Sequence, residues 1–206
     1  MDPDAYDAWF ETRIGREVFR RQLRHLIGML EGCESLLDLG CGTGLFTRAL
    51  AEALGIDFTA CVEVDPEMAE RAKERVDEVI VGDASSTPFD DGSFDAVLMN
   101  NVLEFAEDPS GIVDEARRVA GDRVVAVTLN PRSPWNVWRR LKGRLGHPWW
   151  SAARFPRLSD LRRWGLSPVR FGVVVVPPLV LPERLEGTRM AVVLGAQVFS
   201  VGEPSD

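Results

Sequence analysis

The stretch Leu36-Leu37-Asp38-Leu39-Gly40-Cys41-Gly42-Thr43-Gly44 constrains this chain more than any other. An apolar run ends in an acid, glycines follow at alternate positions, and Leu45 to Leu54 continues with a helical pattern. That order predicts a buried strand, a tight turn and a helix N-terminus. Glycine lets a ligand approach the backbone closely, and the free N–H groups opening a helix carry partial positive charge. The stretch is therefore a candidate site for a nucleotide-like cofactor. A dinucleotide fingerprint, Gly-x-Gly-x-x-Gly, fails in both frames, because Leu45 or Thr47 falls where the last glycine belongs. A phosphate loop would need Gly-Lys-Ser/Thr, which the chain lacks.

Alternating elements surround this stretch. Residues 4–31 read as helical, with Tyr6, Trp9 and Phe10 at the start, then Val18, Leu23, Leu26, Ile27 and Leu30 at helical spacing, and Gly32 ending the run. The first strand is expected over about 35–39 and the second over Phe58–Glu63. Asp65 then supplies an N-cap and Pro66 a first residue for a helix running to Val76. Val79–Val81, Phe94–Met99 and Arg123–Leu129 read as strands, with a helix over Ile112–Val119 ended by Gly121. A short helix is expected over 159–165, and two late strands over Val169–Val176 and Met190–Val201. Such alternation implies an α/β fold: a doubly wound, mostly parallel, seven-stranded sheet with helices on both faces and an antiparallel C-terminal edge strand. One domain over 1–206 accounts for the pattern. It divides into a helical cap (1–31), a cofactor-binding core (32–130), a substrate lid or insert (131–165) and C-terminal strands (166–206).

Composition narrows the function. A net charge of −8 and a pI near 4.9 disfavour nucleic acid as a partner, because phosphate backbones need a basic footprint. No apolar run approaches the roughly 20 residues that span a bilayer. The acidic, aromatic Met1–Phe10 segment is unlike a signal peptide, so a cytoplasmic location is expected. Cys33, Cys41 and Cys61 are odd in number and lack Cys-x-x-Cys spacing, which argues against a disulfide framework and against zinc. His25 and His147 are far apart in sequence, and no metal site is expected.

A cofactor with a ribose needs an acid at the end of the second strand. Asp65 has a capping role; Glu63 ends an otherwise apolar strand and has none, so Glu63 is the candidate. Asp83, after Gly82, suits either an adenine amino group or a turn. Here the motifs reach a family. Leu37–Gly44 resembles motif I of class I S-adenosylmethionine-dependent methyltransferases, and Val62-Glu63-Val64-Asp65-Pro66-Glu67-Met68 resembles their second motif. Gly82-Asp83-Ala84, Pro88–Asp95 and Val102-Leu103-Glu104 resemble the later blocks, in order and at the usual spacing. The likeness covers about residues 4–130 and is similar to the small-molecule "type 11" branch, which includes ubiquinone and menaquinone biosynthesis enzymes. It implies a Rossmann-like fold, S-adenosylmethionine as cofactor and S-adenosylhomocysteine as product. By resemblance, the backbone of Gly40, Cys41 and Gly42 packs on the cofactor and Gly44 opens the helix. Asp38 sits near the methionine amino group, Glu63 holds the ribose, Val64 covers the adenine, and Asp83 with the Ala84 N–H reads the adenine edge. The backbone of Asn100 meets the methionine moiety, and Tyr6 caps the cofactor within a Tyr-x-x-Trp-Phe segment. One departure is Phe105, where many relatives carry a histidine; it removes a candidate general base.

A sulfonium is already an activated methyl donor, so the protein mainly aligns an acceptor and excludes water. Asn101, Glu104 and His147 are the candidates for any proton handling. The acceptor is expected to be a small molecule, hydrophobic or lipid/quinone-like, met by the segment after the fifth strand. From Arg132 to Arg163 nine Lys/Arg face one acid, Asp160, and five of the six tryptophans lie there or just beyond. Trp135, Trp138, Leu141 and Leu145 recur at helical spacing among Arg139, Arg140, Lys142 and Arg144. Such a basic amphipathic helix suits a hydrophobic lid, peripheral contact of residues 132–150 with an anionic membrane, or simple packing on the core. The same basic 132–163 segment leaves open an RNA or protein methyltransferase, and Phe105 leaves open a non-catalytic S-adenosylmethionine-binding module.

Overall fold

Five parallel strands carry the molecule: β1 (Ser35–Leu39), β2 (Phe58–Glu63), β3 (Glu78–Val81), β4 (Phe94–Asn100) and β5 (Ala120–Leu129). The computed structural model describes residues 2–146, 148–176, 179–180 and 195–205. Beyond β5 the chain returns as β6 (Ser167–Val176), the two-residue β7 (Leu179–Val180) and β8 (Gly195–Gly202), all antiparallel to their neighbours. The order across the sheet is β3-β2-β1-β4-β5-β8-β6-β7. The expected seven strands are present, and β7 extends that sheet. The last long strand, β8, inserts between β5 and β6, so β6 with β7 forms the edge. The part of the expected last strand over 190–194 lies outside the described residues.

Alternation along the strands splits the interior into two layers. Val97 and Met99 of β4 point to one face, against Val124 and Ala126 of β5, Ile112 and Ala116 of α5 (Pro109–Val119) and Leu161 of α8 (Leu158–Arg163). Ala96 and Leu98 point to the other, against Val125, Phe199, Leu26 and Leu30 of α2 (Arg13–Leu30), and Phe46 and Leu50 of α3 (Leu45–Leu54). Burial on both faces is why these strands read as near-continuous apolar runs.

Several boundaries differ from expectation. The helical run over 4–31 is two helices, α1 (Pro3–Glu11) and α2, broken at Thr12, whose Oγ1 accepts the Gly15 N–H at 3.0 Å. A threonine that can cap competes with helix continuation. The helix α4 (Pro66–Ala72) stops short of Val76, in a turn. α5 passes directly into β5 at Ala120, so Gly121 lies in the strand rather than ending a helix. Pro148 opens a short helix, α7 (Pro148–Ala152), after the expected α6 (Pro134–Arg144).

Candidate active site

The carboxyl ends of β1 and β2 build one floor. Gly44 is the N-cap of α3 with φ +72°, and Gly40 turns the chain at φ +75°. A Cβ on Gly40 would lie 2.4 Å from Cγ2 of Val102, so this turn admits no side chain. The Gly40 N–H donates to the Val62 carbonyl at 2.7 Å, binding the loop to β2. Glu63 does more than was expected of it. Its Oε2 accepts the Gly42 N–H at 2.8 Å and its Oε1 the Asp65 N–H at 3.0 Å. The acid therefore has a structural role, and each oxygen keeps a further lone pair for a ligand. Asp65 caps α4 as expected, accepting the Glu67 N–H at 3.0 Å.

A disulfide joins Cys41 in the loop to Cys61 in β2, against the expectation from the odd cysteine count. The reason is tertiary. Asp38 pairs with Cys61 in the sheet register, so the loop that follows β1 folds back over β2 and brings Cys41 to it. Cys33 is the free, buried third cysteine.

Asp38 is buried at 1% exposure. Its Oδ2 accepts the Thr47 hydroxyl at 2.6 Å, while Oδ1 has no hydrogen-bond partner among the described residues. Burial pushes the carboxyl up to about 7, with Glu63 adding to the rise and Thr47 opposing it. An orphaned carboxylate oxygen in such a place fits a cationic group. Tyr6 reaches the same floor from α1, its hydroxyl 3.8 Å from where a Cβ on Gly42 would sit. Burial and the carboxylates of Asp38, Asp7 and Glu63 hold its phenol well above the usual value. A latch keeps α1 there. Asp7 accepts the Thr43 hydroxyl at 2.7 Å and Arg75 Nη2 at 2.6 Å, and Arg75 Nη1 donates to the Thr43 carbonyl at 3.0 Å.

The ends of β2 and β3 continue the floor. The Gly82 N–H donates to the Glu63 carbonyl at 3.0 Å, and Glu63 pairs with Val81 in register, which sets exposed Val64 near Asp83 and Ala84. Asp83 already makes a turn, with Oδ1 accepting both the N–H and the hydroxyl of Ser85 at 2.8 Å.

A second group lies past β4 and β5. Glu104 is fully buried. Its Oε1 accepts the Leu129 N–H, and its Oε2 has no partner among the described residues. Burial pushes its carboxyl up to about 7, against the Leu129 N–H and the charge of Arg139. Arg139 of α6 donates to Asn136 Oδ1 at 3.0 Å, and its guanidinium lies 4.9 and 4.6 Å from the ring centroids of Trp135 and Trp150. Burial lowers it to about 9, with Glu104 opposing, so it stays charged at neutral pH. Asn101 holds a positive φ of 57°. His147 lies outside the described residues. The outer face of α6 is apolar: Val137, Trp138, Leu141 and the adjoining Leu145 are 51%, 43%, 53% and 79% exposed.

Sequence reading missed Gln22, Thr47, Arg139 and Gln197. Gln22 left a signal, being a polar residue spaced four from Val18 and from Leu26 on the apolar stripe of α2. Gln197 left none, because strand position alone does not say which partner a glutamine will meet.

Comparisons with known proteins bear on the domain and the fold. A methyltransferase-domain family matches residues 37–127. An uncharacterised protein of Mycobacterium tuberculosis is 32% identical over 165 residues, 79% of this chain and 56% of that protein. A demethylmenaquinone methyltransferase of Beutenbergia cavernae is 35% identical over 130 residues, 61% of this chain and 52% of that enzyme. The chain thus spans about half the length of the curated relatives it matches. An S-adenosylmethionine-dependent methyltransferase of Thermotoga maritima, described as a possible histamine N-methyltransferase, superposes with a TM-score of 0.78 at 25% identity, over 98% of this chain and 95% of that one. By that domain match and that fold, the chain is similar to the class I S-adenosylmethionine-dependent methyltransferases.

Proposed function

We propose that the chain transfers a methyl group from S-adenosylmethionine to a small, apolar acceptor of lipid or quinone-like character. The observation that carries the donor half is the buried Asp38 Oδ1, which lacks a partner among the described residues at the floor of the glycine turn. In this reading it receives the cofactor's ammonium group. The free lone pairs of Glu63 take the ribose hydroxyls, and Val64 covers the adenine. Asp83 and the Ala84 N–H read its edge. The backbones of Gly40, Cys41, Gly42 and Asn100 line the methionine end, Gly44 opens α3 beneath it, and Tyr6 closes over it from α1. When bound, the sulfonium supplies the activated methyl and retains the electron pair of the broken S–C bond. The protein's own task is to exclude water and orient the nucleophile. Glu104, with one buried oxygen unpartnered among the described residues, is the residue best placed to take a proton past β4. Asn101, three residues earlier in the chain and at a positive φ, is the other polar candidate.

For the acceptor, the outward face of α6 favours lipid over a phosphate backbone. It presents exposed Val137, Trp138 and Leu141, with exposed Arg140 and Arg144 and the half-buried Lys142 around them, which suits shallow insertion into an anionic surface. No helix among the described residues is long and apolar enough to cross a membrane. A cytoplasmic location belongs to this proposal, although a Cys41–Cys61 disulfide is unusual in that compartment. Three experiments test the reading. S-adenosylhomocysteine should raise the melting temperature, and lipid extracts incubated with methyl-labelled cofactor should take up label. Phosphatidylglycerol vesicles should sediment the protein at low salt and release it at high salt. Leu141→Glu with Leu145→Glu should abolish sedimentation, and a wild type that stays in the supernatant rules out membrane contact.

A further inference from the structure

A chain of four uncharged amides crosses the molecule where three distant segments meet. Gln22 comes from α2, Asn100 and Asn101 from the end of β4, and Gln197 from the start of β8. Gln197 Nε2 donates to Gln22 Oε1 at 2.7 Å. Gln22 Nε2 donates to Asn100 Oδ1, and Asn101 Nδ2 donates to the same oxygen at 3.3 Å. The amide hydrogens thus point inward along the chain. At its two ends the carbonyl oxygens Gln197 Oε1 and Asn101 Oδ1 are buried and have no partner among the described residues.

Such an arrangement is expensive as mere packing. A buried carbonyl without a donor leaves its desolvation uncompensated, and apolar residues of similar size would hold α2 on the sheet without that cost. Asn101 adds a positive φ, a conformation that clusters at functional positions. The location is also where ligands bind in parallel α/β sheets, beyond the carboxyl ends of the strands. Leu129 ties the chain to Glu104: it is the register partner of Gln197, and its N–H donates to Glu104 Oε1.

We propose that Gln22, Asn100, Asn101 and Gln197 form the subsite that holds the polar group of the methyl acceptor, and that this group is a neutral hydroxyl or amine. The free ends of the chain are oxygens, so the matching ligand must bring O–H or N–H hydrogens, which in the quinone-like reading means the reduced, hydroxyl-bearing form. A carboxylate would set its lone pairs against theirs. Gln197 and Asn101 make the contact, while Gln22 and Asn100 are positioning residues that orient them. The proposal deepens the methyltransferase reading and rests on it.

The test uses the full chain, 15N-labelled, with S-adenosylhomocysteine added, and three probes on one ring: phenol, aniline and benzoate. Phenol and aniline should shift the side-chain NH2 signals of Gln197 and Asn101 saturably, with affinities at least fivefold above that of benzoate. Gln197→Met should remove the response to phenol and leave S-adenosylhomocysteine affinity within twofold. The wild-type titration decides the matter if that variant does not fold. Side-chain amides that stay still with every probe, or that respond equally to benzoate, overturn the subsite. Calorimetry on the same samples separates the two failures: no S-adenosylhomocysteine binding refutes the methyltransferase reading, whereas normal binding with silent amides refutes the subsite alone.

Discussion

Two buried carboxyls, Asp38 in β1 and Glu104 after β4, have surroundings that differ in kind. Asp38 and Glu104 each have one oxygen satisfied and one without a partner among the described residues, and burial pushes each up to about 7. Around Asp38 the partners are close in sequence: Thr47 nine residues on, the glycine turn directly after it, and Glu63 at the end of the next strand. Around Glu104 they come from afar, with Leu129 at the end of β5 and Arg139 in α6. The donor side is assembled by consecutive strand, turn and helix signals. The acceptor side is assembled by the closure of the whole sheet.

Tightness separates the two sides first, and glycine substitutions should expose it. Gly40→Ala would add a Cβ 2.4 Å from Val102 Cγ2 at a φ of +75°. We expect it to destabilise the protein by about 2–4 kcal/mol from overpacking and left-handed strain together. Gly146→Ala, on the α6 side, has a φ of +86° and nothing within 4 Å, so only the strain of about 1–2 kcal/mol applies. Urea unfolding of both variants reads the difference, and equal losses would erase the contrast.

The carboxyls themselves offer the next test. Each folded-state value near 7 lies above the ordinary unfolded value near 4. Between those values the folded protein holds protons that the unfolded chain has lost. Stability should therefore fall as pH rises from about 4 to about 7 and level off above, by up to about 3–4 kcal/mol for each group. Asp38→Asn and Glu104→Gln should each flatten part of that slope. S-adenosylhomocysteine should distinguish them. Its ammonium favours ionised Asp38, so the stabilisation it confers should grow with pH in wild type and in Glu104→Gln but not in Asp38→Asn. Melting curves at pH 5.5 and 8 check this.

How much of this was legible follows the same division. Residues 38–44 and 62–66 announced a strand, turn and helix with an acid at the next strand end, and those elements lie within two residues of expectation. What was missed depends on contacts that no local pattern encodes. Gln22 meets Asn100, 78 positions away, and Gln197, 175 positions away. Cys41 meets Cys61 because β1 and β2 are neighbours, a fact about pairing rather than about spacing. The bonds from Glu63 to Gly42 and Asp65 were hidden for the same reason. Even α6, whose amphipathic pattern was plain, did not reveal that its tryptophan and leucines face outward.

A smaller effect should sharpen the cap's part in the donor side. Asp7→Ala removes bonds to Thr43 and Arg75 whose side chains are largely shielded, and should lower stability by about 1–2 kcal/mol. S-adenosylhomocysteine affinity should fall severalfold, because Tyr6 loses its anchor. Leu141→Glu alone, on the exposed face of α6, should change stability by no more than about 0.5 kcal/mol. A large loss there would mean that this face is packed rather than presented.

Calorimetric titration of S-adenosylhomocysteine into the wild type and Glu63→Ala tests the central claim most directly. Loss of hydrogen bonds to a carboxylate costs about 1.5–3 kcal/mol, or roughly tenfold to hundredfold in affinity. The account predicts one site per chain in the wild type and at least a tenfold weaker site in the variant. A wild type that takes up no ligand, or a Glu63→Ala protein that binds as tightly as the wild type, would contradict it.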